Sequence, residues 1–238
     1  MTHTSYTFNP IAITHSPYKQ KFAIPRQPGL VTAAHGQIEL IGDFNQAELI
    51  RDIEQHSHLW LLFVFHGTAD HGWKPLVKAP RLGGNKKTGV LATRSTFRPN
   101  PIGMSVVKLE SVNCHKGKIL LNISGLDLLD KTPIIDIKPY IPYSDNVSSA
   151  TSLMASTEQE HHISVSFSDT AKQQLQQYRP LHANLEIFIE QVLSQDPRPA
   201  YKKTDLSRQE YGMSLYDLNI RWQMEQQHCL VLSIEAQI

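Results

Sequence analysis

The chain has 238 residues, of which 40% are hydrophobic and 19% charged, and its formal net charge is +1. That is apolar material for one sizeable core, or one core with a small satellite, and so balanced a charge singles out no partner. The longest apolar run, Leu59 to Phe65, is roughly a third of the length a membrane-spanning helix needs. The first residues lack a basic-then-apolar layout, so neither a signal peptide nor a membrane segment is expected. Two cysteines, Cys114 and Cys229, stand far apart without metal-ligand spacing. They exclude a disulfide framework and make a cytoplasmic location the expectation.

In chain order, the first 143 residues read mostly as short strands. Phe8 to Thr14, Gln37 to Ile41 and the buried run Leu59 to Phe65 come first. Gly89 to Thr93, Gly103 to Ser111, Lys118 to Ser124 and Ile134 to Pro139 follow, separated by Pro, Gly and Asn. Only Gln46 to His56 looks helical there, through an apolar stripe of Ala47, Leu49, Ile50 and Ile53. Ser144 to His162 is rich in Ser and Thr and reads as a linker. A strand (Ile163 to Phe167), two helices (Asp169 to Tyr178 and Leu185 to Ser194) and a strand pair (Tyr211 to Gln223 and His228 to Ala236) complete the chain. The expectation is a mainly β protein: a compact antiparallel β-barrel over 1–145, a linker over 146–162 and a small α+β C-terminal domain over 163–238.

Charge is unevenly spread. Residues 1–150 carry a net +5 and residues 151–238 a net −4. From His71 to Leu109 there are eight basic residues and no acid. Interleaved with Gly and Pro, such a stretch suits loops that meet a polyanion, although a solvated face balanced by acids elsewhere is the plain alternative.

Several site motifs fail. Gly84 and Gly89 are spaced as in a phosphate loop, but Val90-Leu91 stands where Lys-Ser/Thr should follow. No Gly-rich dinucleotide motif follows a strand, and His56-Ser-His58 and His161-His162 suggest no third ligand, so no metal is expected. Three segments remain: Ile24-Pro-Arg-Gln-Pro-Gly29, Ala92 to Gly103 with Arg94 and Arg98 among turn-formers, and Leu126 to Tyr140. Prolines reduce the entropy lost when a loop is ordered. Arginines in such loops point to an anionic or zwitterionic ligand.

The PRQPGL, LGGN, ATRSTFRPNPIGMS and LDLLDKTPIIDIKPY segments closely resemble the TsaA-like family. The likeness runs from about Ile11 to Tyr143 and continues through Phe167 and Gln195-Asp-Pro-Arg-Pro-Ala-Tyr201. It implies a β-barrel methyltransferase that uses S-adenosylmethionine, acting as a homodimer with cofactor sites near the subunit contact. The implied reaction is N6-methylation of threonylcarbamoyladenosine beside the anticodon of threonine tRNA. It further implies a cofactor pocket of Pro25, Arg26, Gln27, His66, Arg94, Leu126 and the turn Asp130, Lys131, Thr132 and Pro133. The family commonly has Asp-Gly-Thr-Pro at that turn. If the turn needs a positive φ, Lys131 is strained there, or its side chain adds a cofactor or RNA contact.

Within that frame, Arg26 or Arg94 suits the cofactor carboxylate and Asp130 its amino group or a ribose hydroxyl. Backbone groups of the turn suit the adenine edge. The acceptor nitrogen is a weak nucleophile that gains from losing its proton, and His66 and Asp136 are the candidate bases. Lys86, Lys87 and Arg98 are candidates for anticodon-loop phosphates. Arg198, Tyr201, Lys202 and Lys203 form the one basic cluster of the acidic C-terminal part, with Tyr201 able to stack on an unpaired base. The alternatives are an RNA- or nucleotide-binding module without catalysis, and a methyltransferase of this fold with another acceptor.

Overall fold

The structure is a computed structural model and describes residues 5–78, 87–152, 163–198, 202–203 and 207–237. Six strands pair antiparallel in a closed ring. In ring order they are β1 (Ala12–His15), β2 (His35–Leu40), β7 (Lys118–Ser124), β6 (Ile102–His115), β3 (His58–Val64) and β8 (Pro133–Pro139). Alternation builds the wall: Leu59, Leu61 and Phe63 of β3 and Ile119, Leu121 and Ile123 of β7 are buried, while the residues between them are not. Gly103 faces Phe63 across the β3–β6 ladder. A Cβ there would lie 2.5 Å from the Phe63 ring, so only glycine fits. Two short strands, β4 (Leu76–Lys78) and β5 (Lys87–Gly89), pair in a separate arm between β3 and β6.

After the short helix α1 (Pro142–Asp145), the C-terminal part is a four-stranded sheet ordered β10-β11-β12-β9, flanked by two helices. The strands are β9 (Ser164–Phe167), β10 (Gln209–Leu215), β11 (Leu218–Glu225) and β12 (His228–Ala236). β9 runs parallel to β12, and the remaining pairs are antiparallel. Helices α2 (Asp169–Tyr178) and α3 (Leu185–Ser194) have the expected bounds. Ser168 caps α2, its Oγ accepting from the Ala171 amide at 3.1 Å. This sheet docks on the β1–β2 connection: Tyr18 bridges to Leu215, and the Tyr216 amide donates to Pro17 O at 2.8 Å.

Some elements differ from expectation. Gln46–His56 forms two 3-10 turns, Ala47–Ile50 and Ile53–Gln55, because Asp52 between them adopts φ +65°. The proposed stripe is only partly covered: Ile50 and Ile53 pack against the core, while Leu49 is 61% exposed. β1 begins at Ala12 rather than at the exposed Phe8. The strand expected over Gly89–Thr93 ends at Gly89 and gives way to a 3-10 turn, Val90–Ala92. Tyr211–Gln223 is two strands folded at Tyr216, whose φ of +54° makes the reversal. Residues 153–162 of the expected linker lie outside the described residues.

Candidate active site at one end of the barrel

Antiparallel pairing brings three connections to the same end of the barrel. His35 of β2 faces Ser124 of β7, Val64 of β3 faces Ile102 of β6, and Ile13 of β1 faces Pro133 of β8. The loops 16–34, 65–101 and 125–132 all open there. Every residue expected to hold a cofactor lies on these loops or at Pro133, the first residue of β8. Three distant segments of sequence thus form one mouth.

Gln27 and Arg94 meet, the guanidinium donating to Gln27 Oε1. Beside them lies Asp127, whose role the sequence did not suggest. Ser105, fully buried on the inward face of β6, donates from Oγ to Asp127 Oδ1 at 2.5 Å. Burial pushes the Asp127 carboxyl up to about 6, against the pull of Ser105, its own amide and the charge of Arg94. Tyr18 is fully buried, and its hydroxyl has no hydrogen-bond partner among the described residues. Burial raises its phenol first, then the nearby Tyr216 and Asp127. A carboxylate between the buried Leu126 and Leu128 was the available signal in the sequence. Its partners were not legible.

The expected turn is differently employed. Asp130 Oδ1 accepts from the Ser16 amide at 2.9 Å, and Oδ2 pairs with Lys19 Nζ at 2.7 Å. The amides of Asp130, Lys131 and Thr132 donate to Tyr18 O, Thr14 O and Leu129 O. The first two hold the turn on β1 and the β1–β2 connection, the third closes its own loop, and none is free to read an adenine edge. The buried Thr132 donates from Oγ1 to Leu129 O at 2.7 Å. Lys131 has φ +64°, so the strain foreseen for a non-glycine residue is present. Leu126 is fully buried against Gly36, where a Cβ would fall 2.8 Å from its Cδ1. Pro25 is buried, Arg26 exposed and His66 partly exposed just past β3. Asp136 sits within β8, Oδ1 accepting from the Ile137 amide and Oδ2 paired with Lys138 at 2.8 Å. A base so paired on the barrel wall is less available than Asp127.

The RNA candidates divide. Arg98 donates to Thr93 O at 2.7 Å and braces its own loop. Lys87 is exposed on β5 opposite Lys78, and Lys74 Nζ stands 4.8 Å over the Phe97 ring, next to the exposed Trp73. Arg198 must be corrected to a structural residue: it is 7% exposed and grips Asp196 bidentately, Nε to Oδ1 at 2.8 Å and Nη2 to Oδ2 at 3.0 Å. The backbone carbonyl of Lys202 accepts a further bond from Arg198. Lys203 Nζ lies 3.5 Å from Asp196 Oδ2. Burial lowers the Lys203 ammonium against the pull of Asp196, and the charge of Arg26 lowers it further. This repulsion shows that the Pro25–Gln27 loop lies near the C-terminal cluster. Lys86 and Tyr201 lie outside the described residues. Among the described residues, no helix is long and apolar enough to cross a membrane, and no three His, Cys, Asp or Glu are grouped to hold a metal.

Comparison with known proteins matches both parts of the chain. The tRNA-methyltransferase O N-terminal domain model matches residues 13–146, and the TrmO C-terminal domain model matches residues 160–237. The chain is 47% identical over 232 residues to the tRNA (adenine(37)-N6)-methyltransferase of Escherichia coli K12, covering 98% of this chain and 99% of that one. It is 45% identical to a putative S-adenosylmethionine-dependent methyltransferase, RcsF, of Pseudomonas aeruginosa, covering 93% of each. The crystal structure of TrmO from Pseudomonas aeruginosa superposes with a TM-score of 0.79 at 37% identity, covering 98% of this chain and 99% of that one.

Proposed function

The chain belongs to the tRNA-methyltransferase O family, and from that membership we propose that it methylates N6 of threonylcarbamoyladenosine at position 37 of threonine tRNA. The methyl donor is S-adenosylmethionine, named for the Pseudomonas relative, and the adenine at position 37 is named for the Escherichia relative. The threonylcarbamoyl group and the threonine tRNA are the finer part of the reading. One observation carries it at the level of residues: the Gln27–Arg94 pair beside the half-buried Asp127, where three loops converge.

That donor set fits the cofactor. S-adenosylmethionine, when bound, supplies an already activated methyl group, so the protein chiefly has to hold and align. Arg94, oriented by Gln27, would take the methionine carboxylate through its fork of N–H groups. Pro25 and the buried Leu126 would give the pocket an apolar floor that excludes water. Lys74 and Lys87 in the acid-free arm would meet anticodon-loop phosphates. The enzyme would work in the cytoplasm.

A homodimer belongs to the same reading. On the outer face of β3 and β6, Trp60 stands opposite Val106, Leu62 opposite Met104 and Val64 opposite Ile102. Met104 is 54% exposed, an apolar face that a second copy would cover. Light scattering on a Met104→Glu variant should give a mass near 27.0 kDa, against twice that for the unaltered chain.

The acceptor is tested by comparing methyl transfer to threonine tRNA with and without the prior threonylcarbamoyl group, at equal RNA and fixed salt. A strong preference for the modified tRNA is expected, because a site built around that group's carboxylate leaves a cation unpaired on plain adenosine. Equal rates would assign the enzyme another acceptor.

A further inference from the structure

The structure assigns Asp127 a role of its own: we propose that its carboxylate takes the N6 proton of the acceptor nucleotide, with Ser105 as the positioning residue beneath it. This rests on the methyltransferase reading above.

Three carboxylates are close in sequence to the barrel mouth, and two are already engaged. Asp130 is held on both oxygens by the Ser16 amide and Lys19. Asp136 is paired with Lys138 and with a backbone amide. Asp127 differs. Its one side-chain hydrogen bond among the described residues comes from Ser105, a neutral donor at 2.5 Å that reaches it from inside the barrel. The charged and titratable groups that act on it are Arg94 from the β3–β6 connection and Tyr18 from the β1–β2 connection. Arg94 is tied to Gln27, so its guanidinium is not folded onto Asp127 as a closed ion pair. The carboxylate is therefore desolvated and fixed, yet not neutralised by a partner.

Such a group is suited to a proton. Desolvation brings its titration to about 6, near enough to neutrality that it is ionised at rest and still basic enough to accept. The acceptor nitrogen needs this help, because its lone pair is drawn into both the purine ring and the carbamoyl carbonyl. The step balances. The nitrogen lone pair forms the new N–CH3 bond while the sulfur–methyl pair returns to sulfur. The N6–H bond breaks, its electrons stay on nitrogen, and its proton passes to Asp127 and then to water.

The test uses full-length protein and the isosteric variant Asp127→Asn. Single-turnover methyl transfer should fall at least about 100-fold, while calorimetric affinity for S-adenosylmethionine stays within about threefold of wild type. The wild-type rate should rise through a limb near pH 6 that the variant lacks. Ser105→Ala should move that limb upward, because the ionised form loses a donor. Carboxyl NMR of the cofactor-free protein should show Asp127 titrating near 6, a readout independent of activity. A variant that keeps its rate within threefold would overturn the assignment. So would one that loses cofactor affinity as severely as Arg94→Ala, which would make Asp127 a support for Arg94. Wild-type protein that binds cofactor yet methylates neither tRNA would instead sink the functional reading, and this assignment with it.

Discussion

Gln191, on α3, accepts a hydrogen bond from the Ala33 amide at 2.9 Å and donates from Nε2 to Thr32 Oγ1 at 3.1 Å. One side chain of the C-terminal part thus fastens the loop that carries Pro25, Arg26 and Gln27. Replacing it by leucine leaves the Ala33 amide without its partner, at a cost of about 1–2 kcal/mol. Urea unfolding should register that loss, and cofactor affinity should fall with it as the loop loosens. Unchanged affinity in a destabilised variant would show that the barrel alone holds the loop.

Arg94→Ala should weaken S-adenosylmethionine binding by about 1.5–3 kcal/mol, the range for a hydrogen bond to a charged group. The fold should barely change, because Arg94 is exposed and leans on Gln27 rather than on the core. Titration calorimetry on the folded variant decides it. Unaltered affinity would remove Arg94 from the pocket.

Asp127 should also be a liability to stability. Its folded carboxyl is raised from 3.8 to about 6, chiefly by burial. The folded state therefore binds its proton more tightly than the unfolded chain does. Stability contributed by this group is present at about pH 4 and is lost as pH rises through about 6. Asp127→Asn, neutral at every pH, should be more stable than wild type at pH 7 by up to about 3 kcal/mol. At pH 4 that gain should disappear. Denaturant unfolding at the two pH values measures it, and a pH-independent difference would mean that the carboxylate is solvated.

The Asp196–Arg198 pair should behave in the opposite sense. Burial opposes ionisation of Asp196, but the hydrogen bonds of Arg198 and the charges of Lys203 and Arg198 outweigh it and hold the carboxyl below the usual range. Its contribution is present above the ordinary carboxylate range and is lost as pH falls below about 4. Arg198→Met leaves the Asp196 carboxylate with Lys203 as its remaining cation and should cost about 3 kcal/mol at pH 7. Thermal unfolding at pH 7 and pH 3 should show most of that difference vanishing in acid.

Local signals in the sequence determined the class of the fold and much of its lower-order structure. An unbroken apolar run marked β3, alternation marked β2, and the helices over Asp169–Tyr178 and Leu185–Ser194 ended where expected, one behind the Ser168 cap. The motifs also marked the loops that form the site. Where a single residue with positive φ breaks a pattern, as at Asp52 and Tyr216, period and propensity misled, because tertiary contacts outweigh weak local preferences. The chemistry of the site lay beyond any local signal. Gln27 and Arg94 are 67 residues apart and meet only where the loops of the closed barrel converge, while Ser105 and Asp127, 22 apart, are brought together by the register of the β6–β7 hairpin. Packing within the C-terminal part likewise made Arg198 a buried partner of Asp196, which its place in a basic cluster did not reveal. Desolvation is set by every atom packed around a charge. Those atoms come from the whole chain, so only the folded molecule decides which carboxylate is paired and which is left able to take a proton.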